Sequence, residues 1–420
     1  MLKNSLITTF IGKTMNQKIL NFRVNFFIFL LIVVFIFWGC GTSKQGSEKI
    51  IFWTSSLKPY FTEYIESVIK NFEELYGVKV QWQDYPLDAI YQKILTNYGT
   101  ELSPDVVNVN PLLAAGLYKK KVISILYEDE FKNYHSNLIE GCKIDGKLIT
   151  IPWYSSTKMI VYNKEIFDFS SLKINDYKDF FSLVKRIKEE KGVYGFYPFL
   201  KFEQDMLGLG LISDPYDPFN DDTMQFFKIL RDYKDYLPSG FWVSSVEVAY
   251  SMYKDRKVAS ILIGPQFLYR IKKEDPKLYE NTDVLPFPFK NYPVTVMSLS
   301  VLDNKDKERY DKAIKFIKFL TNFENQNKFF KMVPVVPSVS GNYDFKDDDK
   351  LMEKVKIQML KIFPNSRVFD LYFYDVISDP TLRSGIFKNF LNDVFNSDIS
   401  LDEVKKKYIK IWKENQVKNN

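Results

Sequence analysis

Histidine is nearly missing from this chain: His135 is the only one in 420 residues. Imidazole-based metal sites and Ser-His-Asp or Cys-His nucleophilic centres are therefore not expected. Flanked by Tyr134 and Ser136, His135 reads as a surface residue with no assigned role. Cysteine is scarce too, Cys40 and Cys142 alone, so no disulfide scaffold is available. The sequence has no P-loop, no dinucleotide-binding glycine fingerprint and no zinc-ligand spacing. Internal repeats, low-complexity tracts and Gly/Ser linkers are also missing. A surplus of one charge is missing from most of the chain. Of 58 basic residues against 52 acidic, Lys3, Lys13, Lys18 and Arg23 fall in residues 1–39, which hold no acid. Residues 40–420 keep 54 against 52 with the signs interspersed, which gives no long-range field for nucleic acid. Lys-rich stretches such as 405–413 are interleaved with apolar residues and read as the wet side of a terminal helix.

What the chain does have is core material. At 46% hydrophobic and 17% aromatic it can bury enough apolar surface to exclude disorder, and its length suits two domains. The N-terminus is set apart. Phe26–Trp38 is an unbroken apolar run of 13 residues behind the four basic residues. That is short of the roughly 18 needed to span a bilayer, and its flanks are those of a secretory signal. Met15 is an alternative start, because the residues from Met15 onward already supply a complete signal. The run ends in Gly39-Cys40-Gly41-Thr42-Ser43, which resembles a bacterial lipoprotein lipobox. Residues 1–39 then form the signal peptide, Cys40 the lipid-modified first residue, and 40–48 a tether. An uncleaved signal anchor is the alternative. Lipidation of Cys40 would leave no disulfide, so stability must come from packing.

From Ile50 the pattern is a β-α-β-α-β rhythm. Ile50–Trp53 reads as a strand, and Phe61, Ile65, Val68, Ile69, Phe72 and Leu75 fall at helical spacing up to Gly77. Strands over 78–82 and 105–109 flank a helix near 89–97. This spacing predicts a parallel sheet with crossover helices, whose ligand side is the carboxyl ends of the strands. Lys143–Trp153 reads as a hairpin turning at Asp145-Gly146. Further strands are expected at 159–162, 258–263, 283–285 and 294–302, with helices near 177–190, 223–236 and 309–320. The tail from Lys350 is mostly helical.

Six short blocks in this order resemble a known family. They are Gly77-Val78-Lys79-Val80, Ser103-Pro104-Asp105-Val106, Asp145 through Trp153-Tyr154, Val161 through Phe167, Lys257 through Gly264-Pro265, and Ala313 through Thr321. Behind a lipobox, they are similar to family 1 extracellular solute-binding proteins, the sugar-binding lipoproteins of ABC importers that include maltose-binding proteins. The chain departs from the family at Lys119-Lys120-Lys121, where glycine is common, and at Asn175-Asp176-Tyr177, where a Pro-x-Thr-Trp helix start is common. Gln266 stands after Gly264-Pro265 where many relatives carry tryptophan, which exchanges a stacking surface for an amide. The resemblance implies an α/β, two-lobed periplasmic-binding-protein-like fold with a ligand cleft between lobes joined by hinge segments. By analogy, the first lobe takes residues 49–155 and returns over 296–340. The second takes 156–295, and the C-terminal helices of 341–420 join mainly the second.

A sugar offers hydroxyls at its rim and C–H groups on its faces, so a site for it needs aromatic planes and a few fixed polar groups. Trp153 and Tyr154 follow Pro152 at a strand end, Trp53 ends the first strand, and Trp242 lies in an irregular segment. Ser55, Ser56, Asn108 and Asn110 supply short polar groups on the first rim, and Gln266 faces them from the second by its family position. Helix capping and turn geometry are the structural alternatives for the serines and asparagines. Asp105 reads as structural, bonding backbone at a strand start. Acid pairs such as Glu189-Glu190 and the run Asp347-Asp348-Asp349 read as solvated, not as glycosidase carboxylates. The expectation is a monomeric, non-enzymatic receptor with no cofactor. It captures a sugar or related polyol, is held to the membrane by lipid on Cys40 and delivers to the permease subunits of an ABC importer. A secreted carbohydrate-active hydrolase and a structural lipoprotein binding only proteins are the rival classes.

Overall fold

Lys49-Ile-Ile-Phe-Trp-Thr-Ser55 forms strand β1, buried at every position after the first. Such a run suits a strand covered on both faces. The computed structural model describes residues 49–416 apart from 59–60, 171, 173, 175, 201–215, 266, 287–292, 364–366, 369–370, 372–375 and 378. Helix α1 (Thr62–Tyr76) follows, burying Tyr64, Ile65, Val68 and Phe72, and stops at Gly77, whose φ of +68° is the left-handed cap glycine adopts freely. Next come β2 (Lys79–Tyr85), α2 (Leu87–Asn97), β3 (Val106–Val109) and α3 (Pro111–Lys119). The expected hairpin is present but short: β4 (Lys143–Ile144) pairs with β5 (Lys147–Leu148) across Asp145 and Gly146, with φ of 50° and 71°. β6 (Ile151–Ser156) then leaves it for the main sheet.

Among the described residues the main sheet runs β11-β6-β10-β3-β1-β2, where β10 is Pro293–Val301 and β11 is Val336–Pro337. A further strand, β12 (Arg367–Val368), pairs beside β10. β1 is parallel to β2 and β3, as the rhythm predicts. β10 is antiparallel to both β3 and β6. The sheet is thus mixed, because β10 enters at the end where its neighbours leave. A second sheet, β8-β7-β9, uses Ser260–Ile263, Met159–Asn163 and Thr282–Pro286, all antiparallel.

Side-chain alternation splits the core. Ile50, Phe52 and Val106 join a large cluster that continues into the second sheet, whereas Ile51, Trp53, Val107 and Val109 face a smaller one with α2 and α3. Helices α4 (Tyr177–Lys191), α5 (Asp221–Asp232), α6 (Phe267–Glu274), α7 (Lys307–Leu320), α8 (Phe323–Met332), α9 (Lys350–Ile362), α10 (Pro380–Asn396) and α11 (Leu401–Asn415) complete the part used below. α7 buries Ala313, Phe316, Ile317 and Leu320, the expected face. Lys49–Asn420 is one compact unit, and both clusters draw only on residues between Ile50 and Trp412. This body carries its own core.

Candidate functional site

Strand direction decides where a ligand meets the sheet. β1, β2 and β3 end at Ser55, Tyr85 and Val109, and β6, running the same way, ends at Ser156. All four finish on one rim. From Ser156 the chain crosses through Thr157 and Lys158 to β7, which begins at Met159 opposite Ile263 of β8 and Pro286 of β9. The ends of β8 and β9 therefore form a second rim at the same crossing. A groove of about 1090 Å³ does open on the first half, but at the opposite end of its sheet, around Lys121, Tyr127 and Asp303. Strand ends outrank cavity size here, because only they bring both halves together.

The expected residues divide on this frame. Trp53 is 2% exposed and lies against Tyr85, ring centroids 4.7 Å apart, on the α2/α3 face. Trp153 is fully enclosed in the other cluster and stacks on Phe329 of α8 at 5.9 Å and 20°. The two tryptophans thus sit on opposite faces of one sheet. A bulge explains why both Trp153 and Tyr154 reach the same cluster: the register of β10 on β6 slips between Met297 and Ser298, which pair with Tyr154 and Pro152. Tyr154 is 8% exposed, and burial, with Asp84 close by, pushes its phenol pKa well up. Ser55 donates to the carbonyl of Asn108 at 3.4 Å. Ser56, exposed and at φ +56°, accepts from Leu87 N–H and so satisfies a donor in the first turn of α2. Asn108 lies inside β3, where its amide donates to Ser298 O at 3.0 Å and its buried Oδ1 has no partner among the described residues. Asn110 caps α3 through Leu113 N–H. Trp242 stacks on Phe395 of α10 at 4.8 Å, and its described ring contacts include none with the first rim. Gln266 and Cys40 lie outside the described residues.

The sequence reading missed the most connected group on the rim. Asp84 ends a chain in which Trp82 Nε1 donates to Thr54 Oγ1 at 2.8 Å and Thr54 donates to Asp84 Oδ1 at 2.6 Å. The same carboxylate accepts the backbone N–H groups of Leu57 and Lys58, each at 3.0 Å. The Lys58 ammonium lies 4.3 Å over the Trp82 ring. The parallel register that pairs Thr54 with Asp84 was the available signal. Below this group Phe329 gathers rings from β6 and from α1 with its entering turn: Tyr64 at 4.8 Å, Tyr154 at 5.3 Å and Phe61 at 5.4 Å. Phe61 continues the cluster to Tyr269 of α6 at 6.2 Å.

Charges elsewhere are committed to structure. Buried Asp105 accepts Ile51 N–H at 2.8 Å and pairs with Arg309 at 2.6 Å, the backbone role expected of it. Burial still raises its pKa against the Arg309 charge. Asp347 pairs with Lys356, and Asp349 caps α9 while accepting from Lys272 and Tyr279. Among the described residues no group of three or more metal-binding side chains comes together, and no helix is long and apolar enough to cross a membrane.

Residues 67–355 match the family described as bacterial extracellular solute-binding protein. A Brucella abortus (strain 2308) protein whose name calls it a binding protein is 22% identical over 280 residues, which is 60% of this chain and 68% of that one. In three dimensions the chain is similar to maltose-bound MalE3 of T. maritima, with a TM-score of 0.73 and 16% identity over 87% of this chain and 99% of that one. The maltotriose-bound maltotriose-binding protein of Thermus thermophilus gives 0.65 and 18% over 87% and 99%. The fold is therefore the two-lobed periplasmic-binding-protein type, and the chain belongs to the bacterial extracellular solute-binding proteins.

Proposed function

We propose that the chain captures a sugar or related polyol in the cleft between its two rims and delivers it, without chemical change, to the permease subunits of an ABC importer. An extracytoplasmic place follows from the family. The observation that carries the reading is the convergence of the four strand ends of the first sheet with those of β8 and β9 at the Ser156–Met159 crossing. Structures with this fold and bound maltose, maltotriose or α-D-tagatose support the ligand class.

In this reading the first lobe comprises 49–155 and 296–340, the second 156–295 with most of 341–420. Tyr154, Ser55, Ser56, Asn108 and Asn110 lie at or just below the first rim, with Asp84 added from the geometry. Trp53 and Trp153 back that rim from opposite faces, and Trp242 and Gln266 belong to the second lobe. Cys40 carries the lipid. A ligand touching both rims favours the closed state by its differential affinity; going from about 10% to 90% closed takes about 2.6 kcal/mol. A few interlobe hydrogen bonds supply that.

The test is a thermal-shift screen of the purified protein against mono- and oligosaccharides, polyols and glycerol phosphates. A saturable shift with one compound, recovered unchanged, is expected. Turnover of a sugar would favour the hydrolase reading, and no shift across the panel the structural lipoprotein.

A further inference from the structure

The edge of the main sheet opposite the cleft has an uncommon surface. Among the described residues, the three most exposed large hydrophobic side chains all lie there: Tyr127 at 69%, Leu75 at 65% and Leu102 at 62%. Leu75 closes α1 just ahead of β2, and Leu102 precedes β3. Tyr127 follows Leu126, which pairs with Leu148 beside the start of β6. Ile125, 46% exposed, lies between them in the groove around Asp303. The strand ends they flank, from β2 to β6, span roughly 20 Å of sheet edge at about 4.8 Å per strand. Scattered apolar residues are ordinary, but a row of the most exposed ones along one edge marks an interaction surface.

Charge and chain connection select the partner. Lys120, Lys121, Lys305 and Lys307 are exposed on the same edge, and none of them is in an ion pair among the described residues. Nearby acids are largely engaged: Glu130 pairs with Lys318, Glu308 with Lys312, and Asp306 caps α7. Asp303, whose carboxylate accepts Lys305 N–H at 3.3 Å, remains with Asp311 and Glu101. β1 also begins on this edge, and only residues 39–48 separate Lys49 from the end of the apolar run Phe26–Trp38. Ten residues reach at most about 35 Å, so an N-terminus held at a membrane leaves the start of β1 within that reach of the lipid.

We propose that this edge of the first lobe seats on an anionic lipid surface, with the lysines meeting head groups and Leu75, Leu102, Ile125 and Tyr127 entering the interface. The seat orients the empty receptor with its cleft directed away from the bilayer. The inference rests on the reading that the N-terminus brings the chain to a membrane, but the surface itself is separable from the anchor. Each lysine close to an anionic leaflet is worth about fivefold in partitioning.

The test uses residues 49–420, which carry their own core, with vesicles of 70% phosphatidylcholine and 30% phosphatidylglycerol or of phosphatidylcholine alone. Cosedimentation is expected with the anionic vesicles only, weakening as salt rises. Lys120→Glu with Lys121→Glu should lower it at least tenfold and Tyr127→Ser several-fold, with melting temperatures unchanged. Absence of binding to anionic vesicles overturns the proposal, as does binding that the charge reversals leave intact. A concentration-dependent dimer broken by Tyr127→Ser, without vesicle binding, would assign the edge to a second copy instead. Mass spectrometry of Cys40 in the full chain tests the anchor by itself.

Discussion

Phe61, in the turn that enters α1, and Tyr269, on α6, face each other with ring centroids 6.2 Å apart and planes 29° from parallel. One follows β1 of the first sheet and the other follows β8 of the second, so this pair ties together the two halves whose rims form the cleft. An exposed ion pair, Lys273 to Glu63 at 3.9 Å, lies on the same two helices and adds little. The aromatic contact is worth about 0.5–1.5 kcal/mol beyond the area it buries. Tyr269→Ala should therefore shift the opening equilibrium roughly 2- to 12-fold toward open. A larger radius of gyration without ligand and weaker binding of the identified solute are the expected readings.

Trp153 makes a different prediction from the one its strand-end position invites. With no exposed surface and its ring stacked on Phe329, it supports the cluster beneath the rim. Trp153→Ala should cost about 3–5 kcal/mol of stability, read by urea denaturation. Any loss of affinity should then largely disappear in Trp153→Phe, which keeps the stacking on Phe329.

Asp84 holds the β1–α1 turn by accepting from Thr54, Leu57 and Lys58. Asp84→Ala leaves those donors unsatisfied and should cost about 1–3 kcal/mol. Hydrogen exchange at the Leu57 and Lys58 amides should quicken, while exchange in β8 stays unchanged.

Gly195 packs where a β-carbon would meet backbone. A Cβ there would lie 2.7 Å from Val184 O and 2.8 Å from Val184 Cα of α4. Neither atom can rotate away. Gly195→Ala should destabilise by about 1–3 kcal/mol in the same denaturation assay.

Glu274 gives the pH dependence its sign. Partial burial works to raise its pKa, but Arg270, Lys254 and Tyr250 hold the carboxyl at about 2 instead of the ordinary 4.5. A depressed folded-state pKa contributes stability above the unfolded value, and that contribution is lost as pH falls from about 4.5 toward 2. Glu274→Gln should flatten the acid limb of a stability-against-pH curve over that window and leave the curve near pH 7 parallel to the wild type.

Long periodic segments were legible in the sequence. The α7 face and the turn at Asp145-Gly146 are where spacing and turn chemistry place them. The rim was less so. The pattern places β2 over 78–82, whereas the strand runs on to Tyr85, and the added residues hold Asp84. Gln83-Asp84-Tyr85 is half-buried on an edge strand, where alternation is weak and polar residues read as loop. The bulge in β6 is invisible to a period of two, yet it decides that Trp153 and Tyr154 share a face. Asn108 stands near a strand end as the pattern places it, but nothing local announces that its amide bridges β3 to β10, a contact between residues 190 apart.

The central claim is that one solute bridges the two rims and closes them. Small-angle scattering of the protein with and without the sugar or polyol identified by thermal shift tests it most directly. The account predicts a radius of gyration that falls at saturating solute, with the fall lost when the same solute is offered to a variant that does not bind it. An unchanged radius at saturation, with binding confirmed in the same sample, would contradict closure and place the ligand on one lobe alone.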